Sequence, residues 1–217
     1  MPPRPPLTRE RVVTAAAAVA DRGGLAAVSM RSVGRELGVE AMSLYHHVAG
    51  KDDLVDALAD HVFTEIPLPA LDAPWRPAMA DRAASVRAAL TRHPWGLGLI
   101  ESRRSGVPQL LRHHDTVLGC LRRNGFSVAL AARAFSAIDA YVYGFVLTEQ
   151  NLPIEPGGDA EELSEELALG AAEFPYLAEY VGDMVIGRHF DYGDEFTYGL
   201  DLLLDALAAR LADSLAR

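Results

Sequence analysis

The stretch from Val28 to Lys51, VSMRSVGRELGVEAMSLYHHVAGK, constrains the fold of this chain more than any other. Ser29 offers the side-chain oxygen that an N-cap uses to accept from an unpaired backbone N–H, and Met30, Val33 and Leu37 follow at helical spacing. Gly38 then ends the helix, because glycine takes the left-handed geometry of a tight turn without steric cost. Val39 is placed to plug the core between two helices. Glu40 through His47 read as a second short helix, with Leu44 as its inward anchor. The pattern is a helix-turn-helix. Ala41, Met42, Ser43, Tyr45, His46 and His47 are left to face outward or along the rim, and an exposed surface so poor in acids suits DNA.

The continuation LGVEAMSLYHHVAGKDDLVDAL sharpens this reading. Leu37, Gly38, Val39, Leu44, Tyr45, His47, Val48, Lys51, Leu54 and Leu58 stand where the DNA-binding signature of the TetR family of transcriptional repressors has them, and the run resembles that signature closely. A weaker likeness to the regulatory domain of the tetracycline repressor subgroup extends to the C-terminus. It rests on Ala89-Leu90, His93, the run Asn124-Gly125-Phe126-Ser127 and the long helix that follows. The resemblance implies an all-α protein, with residues 1–51 forming an N-terminal arm and three-helix DNA-binding domain. Residues 52–217 then form a helical ligand-binding and dimerisation domain.

Charge is distributed to match. The whole chain carries a formal −10, which argues against indiscriminate binding of nucleic acid, but residues 1–51 hold seven basic against four acidic residues. A basic head on an acidic body can touch phosphates only through the head. The single cysteine, Cys120, excludes an intramolecular disulfide and a multi-cysteine metal site, and a cytoplasmic location is expected. No uninterrupted apolar run approaches the roughly 20 residues of a membrane span. The N-terminal MPPRPPLTRE is proline-rich and reads as a short arm before the first helix, not as a signal peptide.

Apolar residues recur at intervals of three and four along the rest of the chain, and no convincing alternating run appears. Thr8 is expected to cap a helix reaching about Arg22. A fourth helix opens on Asp52 and Asp53 and runs to the stop at Pro67. Further helices are expected over Trp75 to Arg92, Trp95 to Ser102, Pro108 to Arg123 and, capped by Ser127, on to about Asn151. Later pieces cover Asp159 to Glu173, Pro175 to Val185 and Gly193 to Arg217, with a loop at Gly157-Gly158.

Chemistry assigns the head residues their roles. Arg31 offers a fork of donors for a phosphate or for the N7 and O6 of guanine, at a position where the family pattern has a basic residue that reaches DNA. Ser43 carries a hydroxyl for base or phosphate, and Met42 can lie against a thymine methyl. Tyr45 and His47 can donate to phosphate from the rim, and Lys51 adds a charge at the start of the fourth helix. The structural alternatives are that Tyr45 packs on the first helix, Met42 only covers apolar surface, and Arg31 pairs with Glu10.

In the body, an apolar pocket is expected among helices four to eight, walled by Phe63, Val86, Trp95, Ile100, Val117 and Phe135. Arg82, Arg104, His114 and Asp139 are its candidate polar contacts. Asp139, an acid in the apolar run AFSAIDAYVYGF, must pair, within the chain or across a dimer, or face a cavity. Tyr141 and Phe145 on the eighth helix, with Leu200, Leu204, Leu207 and Leu211 on the last, make stripes broader than one neighbour needs. The resemblance implies that this pair forms a four-helix bundle with a second copy, and two DNA half-sites also call for a homodimer on a palindromic operator.

The adjacent histidines His46-His47 and His113-His114 point about a quarter-turn apart, so neither pair chelates, and no metal or cofactor is expected. The tetracycline repressor holds its drug as a magnesium chelate through a histidine of the sixth helix. Here Ile100 takes that place, and Ile66 and Pro67 stand where another drug-contacting histidine is expected, so tetracycline is not the implied effector. A small, largely apolar effector is expected instead. The alternative reading is a helical enzyme or interaction scaffold with an appended DNA-binding head. No nucleophile motif, phosphate-cradling loop or framed pair of carboxylates supports the enzyme, and a scaffold leaves the basic head unexplained.

Overall fold

The computed structural model describes residues 5–102, 108–152, 173–184 and 191–216, and every regular element among them is helical. Helix α1, Arg9–Gly23, begins where the Thr8 hydroxyl accepts from the Arg11 N–H and ends at Gly24, with φ of 68°. A 3-10 turn at Leu25–Ala27 leads to α2, Met30–Leu37. The start of α2 is a reciprocal cap. The Ser29 hydroxyl accepts from the Ser32 N–H at 3.0 Å, and the Ser32 hydroxyl accepts from the Ser29 N–H at 2.9 Å. Gly38 sits in the left-handed region at φ 65° and closes α2.

Helix α3, Ala41–Leu44, is shorter than the spacing predicts. After Leu44 the chain tightens: Tyr45 and His47 donate to carbonyls three residues back, and Val48 turns inward and is almost fully buried. Burying Val48 wins over continuing the helix through His47. Helix α4, Lys51–Thr64, has Asp52 and Asp53 in its first turn, where carboxylates complement the dipole.

The body follows as α5, Trp75–Arg92; α6, Gly96–Ser102; α7, Pro108–Arg123; and α8, Val128–Asn151, capped by Ser127. Helices α9, Pro175–Met184, and α10, Glu195–Leu215, complete the described chain. The expected loop at Gly157-Gly158 and the expected helix from Asp159 to Glu173 lie outside the described residues, apart from Glu173.

Helix α4 packs on α1 on one side and on α6 and α7 on the other, and α8 packs on α5, α7 and α10. The α7–α8 turn also fastens the start of α5. The Asn124 amide donates to the carbonyls of Ala73 and Cys120, both at 2.9 Å, and its oxygen accepts from the Trp75 N–H at 3.3 Å. Phe126, fully buried, meets the Trp75 ring edge to face at 5.0 Å.

Helix α8 is long and apolar enough, by length and composition, to cross a membrane, although no single uninterrupted run announces it. Its apolar residues serve a core: Ala131, Ala134, Ile138, Val142 and Val146 are buried against the chain's own helices, and Asp139 among them is ion-paired with Arg82. The expected dimer stripe needs correction for the same reason. Leu200, Leu204, Leu207, Leu211 and Phe145 are all buried within the single chain. Phe145 stacks on Tyr192 at 4.6 Å and meets Phe196 at 5.0 Å, and the Tyr141 hydroxyl donates to the Phe196 carbonyl at 2.8 Å. These residues close the core of one chain, so a partner helix could meet only the opposite faces. There Leu147, Tyr198, Leu202 and Leu215 are exposed.

Leu204→Ala is therefore expected to lower stability against urea by about 2 to 5 kcal/mol, the range for emptying a packed leucine site. The association state of the folded fraction should not change. A Leu204→Ala protein of wild-type stability with altered sedimentation would return this residue to an interface.

Candidate functional site

The head presents its polar residues because its apolar ones are committed inward. Val12, Ala16, Val28, Val33 and Leu44 are essentially inaccessible, and they hold α1, α2 and α3 as one unit. The closest approach is at Gly34, where an added Cβ would lie 2.9 Å from the Val39 carbonyl oxygen and 3.3 Å from the Ala41 backbone. Only a residue without a side chain lets α3 sit this near α2. Ala41, Ser43 and His47 are consequently half-buried, whereas Met42, Tyr45, His46, Arg31 and Lys51 are exposed, Met42 at 73%. Neither the Arg31–Glu10 pairing nor the packing of Tyr45 against α1 takes these two side chains out of solvent.

Charge in the head is arranged unevenly. Glu36 is paired with Arg22 at 2.5 Å, Asp53 with Arg9 at 2.6 Å, and Asp21 with the His93 ring at 2.7 Å. The side chains of Arg31, Arg35 and Lys51 have no such partner among the described residues. Internal pairing thus removes Asp21, Glu36 and Asp53 from the balance and leaves three cations facing solvent around α2, α3 and the start of α4, against the exposed Glu10 and Glu40. That surface can neutralise phosphates.

The Arg9–Asp53 contact escapes a reading by local spacing, since its partners lie 44 positions apart. Arg9 donates to both Asp53 oxygens, at 2.6 and 2.9 Å, and to the His47 carbonyl at 3.0 Å. Asp53 also accepts from the Ala49 N–H at 2.8 Å. One guanidinium and one carboxylate therefore brace the Tyr45–Gly50 turn, which joins the exposed face of α3 to α4. The Arg9 hydrogen bonds, followed by the Ala49 N–H, hold the Asp53 carboxyl down to about 2.

In the body, Arg82 and Asp139 meet between α5 and α8. The Arg82 side chain is only 1% exposed, and its Nη2 lies 2.6 Å from Asp139 Oδ1. The pair is close but poorly aligned: Arg82 Nε and Nη1, Asp139 Oδ1 and both ring nitrogens of His113 lack hydrogen-bond partners among the described residues. Burial, reinforced by the Arg82 charge, pushes the His113 imidazole down to about 3, so it is neutral. Burial raises the Asp139 carboxyl, against the opposing pull of Arg82. Aromatic rings enclose the group. Phe135 lies 5.4 Å below the Arg82 guanidinium and meets the half-buried His114 edge to face at 4.7 Å, and Phe63 lies 5.6 Å from His113.

Of the expected pocket residues, Arg82, His114, Phe135 and Asp139 come together, with His113, which the sequence offers only as half of an adjacent histidine pair, as a neighbour. The missing signal was burial, which adjacent histidines on a helix do not announce. Phe63, Val86 and Val117 are buried in the continuous core, and Ile100 is packed against it. Trp95 is turned elsewhere, its indole N–H donating to Asp21 at 2.6 Å. Arg104 lies outside the described residues. A cleft of about 470 Å³ does open between α1, α4 and the start of α7, but its walls are Arg9, Val13, His61 and their neighbours, and none of the expected pocket residues lines it.

Comparison with known proteins agrees with both halves. Residues 12–58 match the family model described as bacterial regulatory proteins, tetR family, and residues 68–211 match that of the tetracyclin repressor-like C-terminal domain. The HTH-type transcriptional repressor DrrR1 of Streptomyces coeruleorubidus is 35% identical over 221 residues, covering 97% of this chain and 80% of the relative. An HTH-type transcriptional regulator of Saccharopolyspora erythraea is 34% identical over 199 residues, covering 89% of this chain and 84% of the relative. Among solved structures, the TetR family protein ActR of Streptomyces coelicolor in complex with actinorhodin superposes with a TM-score of 0.74 at 29% identity, over 95% of this chain and 99% of that one. The chain belongs to the TetR family. It is a ligand-responsive, DNA-binding transcriptional repressor.

Because its folded-state value is depressed, Asp53 contributes stability above its ordinary value of 3.8 and loses that contribution as pH falls toward about 2. Asp53→Asn is expected to unfold at lower urea than wild type at neutral pH, with the difference shrinking through this acid window. Identical midpoints at neutral pH would show that the brace carries no stability.

Proposed function

We propose that residues 1–51 read DNA and that residues 52–217 bind a ligand and dimerise, with α4 belonging physically to both. The protein works as a homodimer on a palindromic operator in the cytoplasm, and the reading assigns it no catalytic role. The observation that carries this is the set Arg31, Arg35 and Lys51, without ion-pair partners among the described residues, around the short, exposed α3, on a head where Asp21, Glu36 and Asp53 are each paired elsewhere. Met42 and Ser43 reach base edges, while Tyr45, His46, His47 and Lys51 set the register on phosphates.

Two half-sites about 34 Å apart require two heads. The exposed apolar side chains Leu147, Tyr198, Leu202 and Leu215 on α8 and α10 support pairing of two chains through those faces. The effector is largely apolar but carries an oxygen acceptor for Arg82, whose Nε and Nη1 are buried without partners. That ActR is solved in complex with actinorhodin supports a small-molecule effector for this chain as well. Ligand binding shifts the pair of heads to a spacing that no longer fits the operator, and α4 transmits the change.

Arg31→Ala and Ser43→Ala should each weaken operator binding by about 1 to 3 kcal/mol with helicity unchanged, as measured by gel shift. Lys51→Ala should weaken binding on all sequences alike and reduce the salt slope by about one. Wild-type affinity in all three variants would remove the reading head from α2 and α3.

Tetracycline with magnesium should leave the operator footprint intact, because Ile100 stands where the chelating histidine is expected, and Ile66 and Pro67 where another drug-contacting histidine is. Release of DNA by the magnesium chelate would show that other residues had assumed that role.

A further inference from the structure

A second polar cluster lies where head and body meet, and the repressor reading does not use it. His61 and Glu65 are one helical turn apart near the end of α4, and His93 caps the end of α5. His61 Nε2 lies 3.6 Å from Glu65 Oε1, and His93 Nε2 lies 3.2 Å from the same oxygen, with all three atoms within 4.8 Å of one another. Ligand atoms around a tetrahedral zinc, with bonds near 2.0 to 2.1 Å, stand about 3.3 Å apart. Two edges of such a site are therefore already close to that length.

The outer contacts match as well. His93 Nδ1 lies 2.7 Å from Asp21 Oδ1, and the Trp95 N–H donates to that same oxygen. A carboxylate only accepts, so Nδ1 carries a proton and donates it. The lone pair of a neutral His93 then sits on Nε2, facing Glu65 Oε1 at 3.2 Å, acceptor against acceptor. Something positive must lie between these atoms, either a proton on the imidazole or a metal cation. A carboxylate that accepts from the far nitrogen of a ligating histidine is the usual support for a zinc ligand. Arg92 pairs with the other oxygen of Glu65, so Oε1 stays directed at the histidines. His61, which burial holds toward its neutral form, also lines the α1–α4 cleft, a route for the ion and for a water as fourth ligand.

We propose that His61, Glu65 and His93 form a site for a divalent transition metal such as Zn²⁺, with Asp21 positioning His93. The three ligands come from α4 and the end of α5, and Asp21 comes from α1, so the ion fastens the base of the head to the body. In the sequence, His61-x3-Glu65 is a weak signal beside the adjacent histidine pairs, because its third partner comes from another helix.

The test is titration of the tag-free, full-length protein with Co²⁺ and Zn²⁺. One Co²⁺ per chain should bind with the visible d–d absorption of a four-coordinate ion, and Zn²⁺ should displace it and raise the urea midpoint. His61→Ala and Glu65→Gln should each weaken binding at least about 10-fold, and Asp21→Asn should do so by about 10- to 100-fold. The double variant His46→Ala, His47→Ala, which alters DNA-facing residues, should still bind Co²⁺ as wild type. His61 is partly exposed, and its side chain makes the long contact to Glu65 and a tilted ring contact with His93, so His61→Ala serves as the folded control, checked by circular dichroism. Absence of a d–d band at excess Co²⁺, or wild-type affinity in both His61→Ala and Glu65→Gln, would overturn the proposal. Neither result depends on DNA binding or on the effector.

Discussion

The head keeps its position because α4 is apolar on two sides. Leu54, Leu58 and Val62 are inaccessible in the middle of this helix, with Ala57 and Ala59 between them keeping neighbouring backbones close. One side completes the core of the DNA-binding unit with α1, and the other packs against α6 and α7. A helix shared by two cores cannot be moved by one without disturbing the other. The Arg9–Asp53 brace extends that coupling from α4 into the turn after α3, and so to the residues proposed to face DNA.

The body carries a cost that core packing alone does not explain. Each buried polar atom left without a partner costs about 1 to 3 kcal/mol, and Arg82, His113 and Asp139 contribute several such atoms. An apolar substitution pattern would give a more stable α5–α7–α8 core. Retention of a charge there fits a site completed by a bound molecule, and its aromatic surround fits a ligand that is mostly carbon. The cations of the head are unpaired for a different reason, since they lie in water and lose little until phosphate replaces it.

Local chemistry was legible and distant chemistry was not. Thr8, Ser29 and Ser127 cap helices where their sequence positions announce it, Gly38 takes its left-handed turn, and α5 and α7 keep the bounds their periodicity implies. The end of α3 was misplaced because Val48 is drawn into a core assembled from other helices. The leucines of α10 show a limit of amphipathic patterns: width reveals that a helix is covered, not whether its own chain covers it. Arg82 and Asp139 were picked out singly as polar residues in apolar surroundings, but their pairing, like that of Arg9 with Asp53, depends on tertiary structure.

The account makes the spacing of two heads the regulated quantity, and that spacing can be measured directly. A spin label at Ala49→Cys, on the exposed turn after α3, with native Cys120 buried, reports the separation of the two heads in a dimer by pulsed dipolar spectroscopy. On operator DNA the distribution should be narrow and centred near 34 Å, the distance of one helical turn between half-sites, and it should be broader or displaced in free protein. A distribution identical with and without DNA, or no dipolar coupling at all, would contradict it.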